Sequence, residues 1–141
     1  MMDGSVTVLI VEDDEVEATA IVRSFRDLKA EYPIVVTHHG KEALQRLRGE
    51  SGFERISAPL LVALDLSMPH MDGHEFLEAL RGDPFLRPST VFVLTSSASK
   101  KHRASAYAQN IAGYIRKPAP GQDFSDIVSM LNSYCRVNFG A

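Results

Sequence analysis

Residues 6–11 (VTVLIV), 60–64 (LLVAL) and 90–94 (TVFVL) are short and almost wholly apolar, and β-branched side chains dominate two of them. A strand without polar alternation is covered on both faces, so several such runs hold the chain to a sheet with helices on each side. The segments between them have the helical period. Ala18, Ile21, Val22, Phe25 and Leu28 recur at three-and-four spacing, with Pro33 expected to close that helix. A shorter strand over 34–37 follows, then a helix over 41–48 with Gly49 just past its end, and a polar loop over 50–59. Further helices are predicted over 74–81 and 100–109, the second closed by a left-handed Asn110, then a short strand over 113–115 and a last helix over 123–135. Strands alternating with helices require right-handed crossovers, and the fold class read from this is α/β: a doubly wound, five-stranded parallel sheet with helices on both faces.

Composition narrows the rest. The chain has 141 residues, which suits one domain at roughly 100 to 200 residues each, here a single domain over 1–141 with a core over about 6–134 and no room for an output domain. Fifteen Lys and Arg against eighteen Asp and Glu give a net charge of −3, which disfavours nucleic acid and anionic membranes as partners. No apolar run approaches the ~18 residues that span a bilayer, no secretory signal precedes the first strand, and the one cysteine, Cys135, excludes an internal disulfide, so a cytoplasmic protein is expected.

In an open parallel sheet, ligands bind at the carboxyl ends of the strands. Glu12, Asp13 and Asp14 stand there after the first strand, Asp65 after the third, Thr95 after the fourth, and Arg116, Lys117 and Pro118 after the fifth. Carboxylates gathered at one edge share a proton or a cation, and oxygen-only donors favour Mg²⁺. Thr95 and Lys117 are donors suited to phosphoryl oxygens, and Asp65 is a carboxylate nucleophile that is already ionised at neutral pH. The expected chemistry is phosphoryl transfer to Asp65.

Four ordered motifs, VLIVEDD, LDLSMPHMDG, VLTSS and YIRKP, give the chain a strong resemblance to the receiver domain of response regulators, of the chemotaxis-regulator type with a flavodoxin-like fold, over about residues 6–134. The resemblance implies that Asp65 is the phosphoacceptor, that Glu12 and Asp13 with Asp65 and the backbone carbonyl of Ser67 hold Mg²⁺, and that Thr95 and Lys117 take the phosphoryl oxygens. It implies that Thr95 and Tyr114 form the switch and that the Lys117–Pro118 peptide is cis. The expected role is a phosphorelay signalling domain rather than an enzyme. Its phosphoryl group would come from a sensor histidine kinase or a phosphotransfer protein, and its signal would pass by protein contact. The 50–59 loop and the LTSSAS run look most like stand-alone regulators paired with phytochrome-type kinases.

Two other functions fit parts of the pattern. An aspartate-nucleophile phosphatase shares the Asp, Thr, Lys and Mg²⁺, but carries a second Asp two residues after the nucleophile, where Ser67 stands. A receiver-shaped interaction module without phosphate chemistry is the other. Asp14 reads equally well as a helix cap, His38, His39, His70 and His74 as surface residues, and Cys135 as a partly buried free thiol. The last helix and strand, with Tyr107 and Ile111, offer a face for a symmetric dimer.

Overall fold

A computed structural model of the chain describes residues 6–56, 60–66, 73–96, 99–119 and 122–140. Its elements run β1 (Thr7–Val11), α1 (Glu15–Asp27), β2 (Ile34–Thr37), α2 (Gly40–Arg48), β3 (Leu60–Leu64), α3 (Gly73–Gly82), β4 (Thr90–Thr95), α4 (Lys100–Tyr107), β5 (Gly113–Arg116) and α5 (Ser125–Phe139). All strand pairs are parallel, in the order β2-β1-β3-β4-β5. The doubly wound architecture expected from the apolar runs is the one observed.

Because successive strand residues point to opposite faces, the sheet divides the interior in two. Leu9, Val11, Val62, Leu64, Val91 and Val93 meet α2, α3 and α4 through Leu44, Leu47, Phe76, Leu80 and Ala106. Val8, Ile10, Leu61, Ala63, Phe92 and Leu94 meet α1 and α5 through Ile21, Phe25, Val128, Leu131 and Cys135. The burial of β3 at all five positions follows from this double cover.

The helix starts are written into the residues before them. Asp14 caps α1, its side chain accepting from Val16 N and Glu17 N at 2.9 and 3.0 Å. His39 caps α2, its Nδ1 accepting from Glu42 N, while Glu42 reaches back to accept from His38 N at 2.8 Å. Ser99 caps α4 by accepting from His102 N. The start of α3 depends instead on a missing side chain. Gly73 N donates to Leu66 O at 2.8 Å, and a Cβ at Gly73 would stand 2.3 Å from Leu66 Cα and 2.6 Å from Asp65 O. Only glycine lets α3 begin this close to the end of β3.

Several sequence expectations are corrected. The first helix ends at Asp27 rather than running to Pro33, because Lys29 turns left-handed at φ 59° and leaves Leu28 exposed. Pro33 O accepts from Val8 N and so belongs to the start of β2 pairing. The last helix continues past Cys135 to Phe139 and is capped by left-handed Gly140. Asn110 does take the left-handed conformation, at φ 59°, but α4 stops at Tyr107, before it. Ile111 is buried in the core around α4, so it is lost to any dimer face. Cys135 is fully buried. His74 is half-buried rather than freely exposed: its Nε2 is shielded, and its ring meets that of His102 at 5.1 Å between centroids.

At the lower end of the sheet, Arg81 acts as a clasp. Its Nε donates to Gln109 O at 2.7 Å, its Nη1 to Arg87 O and Ser89 O at 2.7 and 2.8 Å, and its Nη2 to Asn110 O at 3.0 Å. One guanidinium thereby joins the end of α3 to the segments that lead into β4 and β5.

Candidate functional site

The site grows from the upper ends of β1, β3, β4 and β5. The backbone ladder runs one residue past the strands, with Glu12 N donating to Thr37 O, Asp65 N to Val11 O and Lys117 N to Thr95 O at 2.8–3.0 Å. That extension fixes the backbones of Glu12 and Asp65 on neighbouring strand ends and that of Lys117 beyond β4. Glu12, Asp65 and Thr95 are buried, while Asp13 is exposed.

Lys117 stands at the centre of the acids. Its Nζ lies 2.8 Å from Glu12 Oε1, 2.8 Å from Glu17 Oε1 and 3.2 Å from Asp65 Oδ2. The Asp65 contact is a formed hydrogen bond. Burial works against the ammonium, but its contacts with Glu12 and Glu17 and the charge of Asp65 outweigh burial and hold its pKa above the ordinary lysine value. For Glu12 the balance falls the other way for a carboxylate. Burial, reinforced by Asp65, pushes it up to about 8, although Lys117 and the Asp14 N–H, which donates to Glu12 Oε2 at 3.2 Å, pull downward.

Carboxylate oxygens of Glu12, Asp13 and Asp65 all lie within 4.8 Å of one another. The set contains no imidazole or thiolate, and a hard divalent cation suits such all-oxygen donors. The raised affinity of Glu12 for a proton is the burden that such a cation would relieve. The residues present therefore fit the cation expected from the sequence. Ser67, expected to add a backbone carbonyl, lies outside the described residues, as does His70.

Thr95 and Tyr114 stand on the other face of the sheet. Val93 is in register with Tyr114, so Thr95, two residues on, shares that face. Tyr114 packs against the α2–α3–α4 core with its hydroxyl buried and without a well-formed hydrogen bond. Burial raises its pKa, while the charge of Arg103 and the neighbouring Thr95 hydroxyl oppose that rise. The structure thus brings Glu12, Asp13, Asp65 and Lys117 into one cluster, with Thr95 beside it and Tyr114 behind Thr95. Asp14 is a helix cap, as its alternative reading had it.

Sequence reasoning missed Glu17. A first-turn acid reads as a partner of the helix dipole, but the helix after a first strand begins over the sheet's upper edge, so its first turn overhangs the site. That placement was the available signal.

Residues 8–130 match the response regulator receiver domain. The chain belongs to that family, the receiver domains of two-component signalling. The probable methanogenesis regulatory protein FilR2 of Methanothrix harundinacea is 36% identical over 127 residues, covering 90% of this chain and 81% of that one. Among solved structures, the response regulator receiver domain from Rhodospirillum rubrum superposes with a TM-score of 0.82 at 29% identity, covering 93% of this chain and 94% of that one. The phosphorylated cyanobacterial phytochrome response regulator RcpA gives 0.79 at 27% identity, covering 92% and 91%. A phytochrome response regulator, the association suggested by the sequence, is thus among the solved structures that the chain resembles. No helix among the described residues is long and apolar enough to cross a membrane.

Proposed function

We propose that the protein is a single-domain response regulator that accepts a phosphoryl group on Asp65 and signals through its own surface. The observation that carries this reading is the convergence of Lys117 with Asp65 and Glu12, within 3.2 Å, at the carboxyl edge of the sheet. A phosphohistidine on a sensor kinase or a phosphotransfer protein is the donor. An Asp65 carboxylate oxygen attacks phosphorus, the new O–P bond forms as the P–N bond breaks, and the departing imidazole takes up a proton. Lys117 already faces the acceptor oxygen and offsets the charge gathering on the phosphoryl group, as does the Thr95 hydroxyl. Glu12, Asp13 and Asp65 would hold Mg²⁺, with the Ser67 carbonyl, and the ion supplies positive charge opposite the phosphoryl oxygens.

Phosphorylation makes Thr95 a partner of the new anion, and Tyr114, directly behind it on the same face, repacks with α4. The altered surface of α4, β5 and α5 carries the signal to a partner or a second copy of the chain. A phytochrome-type kinase in the cytoplasm is the favoured source, by likeness to RcpA.

Incubation with acetyl phosphate and Mg²⁺, read by intact mass, tests this. One phosphoryl adduct is expected, absent in Asp65→Asn. No adduct on the wild type would favour a phosphate-independent interaction module, and sustained turnover of an external phosphate ester would favour a phosphatase.

A further inference from the structure

Lys117 is shared between two kinds of partner. Toward Asp65 it makes a directed hydrogen bond at 3.2 Å. Toward Glu17 the approach is shorter, 2.8 Å, equal to that toward Glu12. Glu12 is buried at a strand end, whereas Glu17 is about one-third exposed on the first turn of α1. An ion pair with a partly exposed partner holds the ammonium in place, and water can take over the carboxylate when the pair opens, so release costs less than at a buried acid.

Three carboxylates, Glu12, Asp65 and Glu17, contact this one lysine, and Asp13 lies beside two of them. Glu12, Asp13 and Asp65 stand at strand ends. Glu17 stands instead on α1, so it shares with Asp65, from outside the sheet, the ammonium that a phosphoryl group on Asp65 would need. It also adds negative charge where an anion must enter.

We infer that Glu17 is a positioning residue that holds Lys117 in the unphosphorylated state and competes with the phosphoryl group for it, thereby setting the rate and lifetime of Asp65 phosphorylation. The inference rests on the proposed phosphoacceptor role of Asp65. Removing the competitor has opposite effects on the two charged ligands of the site. The arriving anion meets less repulsion and a lysine free to turn toward it. The cation loses the field of one neighbouring carboxylate.

The test compares the wild type with Glu17→Gln and Glu17→Asp. Mg²⁺ binding is measured by calorimetry, beryllofluoride binding at saturating Mg²⁺, and phosphorylation by acetyl phosphate through intact mass. Glu17→Gln is expected to bind Mg²⁺ about threefold more weakly, yet to bind beryllofluoride and to take up phosphoryl groups about three- to tenfold better. Glu17→Asp keeps the charge but is one methylene too short for the 2.8 Å contact, and its phosphorylation rate is expected to fall between those of wild type and Glu17→Gln. A merely structural role would weaken all three readouts together. Identical rates in wild type and Glu17→Gln, with both labelled on Asp65, would overturn the inference while leaving the phosphoacceptor reading intact, and so would Glu17→Asp behaving as wild type. A wild type that takes no label would overturn both.

Discussion

Replacing Arg81 by Met keeps much of the aliphatic stem and removes the four backbone contacts of its guanidinium. The Gln109 and Ser89 bonds are half-buried, those to Arg87 and Asn110 exposed. A hydrogen bond to a charged donor is worth about 1.5 to 3 kcal/mol net, with the low end apt for half-buried sites, while exposed carbonyls recover most of their loss from water. The expected cost is therefore about 2 to 4 kcal/mol. With a urea slope of about 2 kcal/mol per molar, the unfolding midpoint falls by about 1 to 2 M, and Tm falls on the order of 10 °C. The chain has no tryptophan, so far-UV circular dichroism is the suitable probe. Arg81→Lys retains the charge but lacks the planar fork, and less than half of the loss should return. The clasp joins segments at the amino ends of β4 and β5, away from Asp65, so uptake of a phosphoryl group well below Tm should persist. A loss below about 0.5 kcal/mol in Arg81→Met would refute the clasp as a stabilising element.

The close approach at Gly73 makes a second prediction. Gly73→Ala sets a methyl group against the backbone of Asp65 and Leu66, and is expected to cost about 1 to 3 kcal/mol and to slow phosphoryl uptake by shifting the acceptor; equal stability and rate would show that the helix start has slack. Cys135, held up to about 11 chiefly by burial, should be inert to a thiol reagent at pH 8 in the native state, where roughly one thiol in a thousand is ionised, and react once per chain in guanidinium. Its raised pKa means that the native state keeps the proton longer, so this contribution to stability is complete below the ordinary thiol value and is lost as pH rises toward about 11. Urea titrations of wild type and Cys135→Ala across that range would show the difference in slope.

Much of the fold was legible because residues 60–64 and 90–94 are apolar on both faces, a pattern that only a doubly covered strand satisfies. Helix ends were less so. Leu28 continues the apolar period of α1, yet the left-handed turn at Lys29 ends the helix, and nothing in a lysine announces φ 59°. Val137 is exposed and breaks the apolar period of α5, although the helix itself continues to Phe139. In the site, Glu12, Asp13, Asp65, Thr95 and Lys117 were found because each stands at the end of an apolar run. Glu17 was not, because its role depends on how α1 lies over the sheet edge. Arg81 was equally hidden: a cation in the last turn of a helix reads as a dipole partner, and its carbonyl acceptors come from two distant segments.

The alternation of side chains across the sheet has one more consequence. Continued past the strand ends, it sets Glu12, Asp65 and Lys117 over the α1–α5 core, with Glu17 on α1 among them, and Thr95 and Tyr114 over the core beneath α2, α3 and α4. The sheet is a bulkhead between a compartment that handles charge and one that handles shape, and Thr95 is where the two meet. Substitutions around Lys117 are therefore expected to alter the chemistry of Asp65 before they alter the packing around Tyr114.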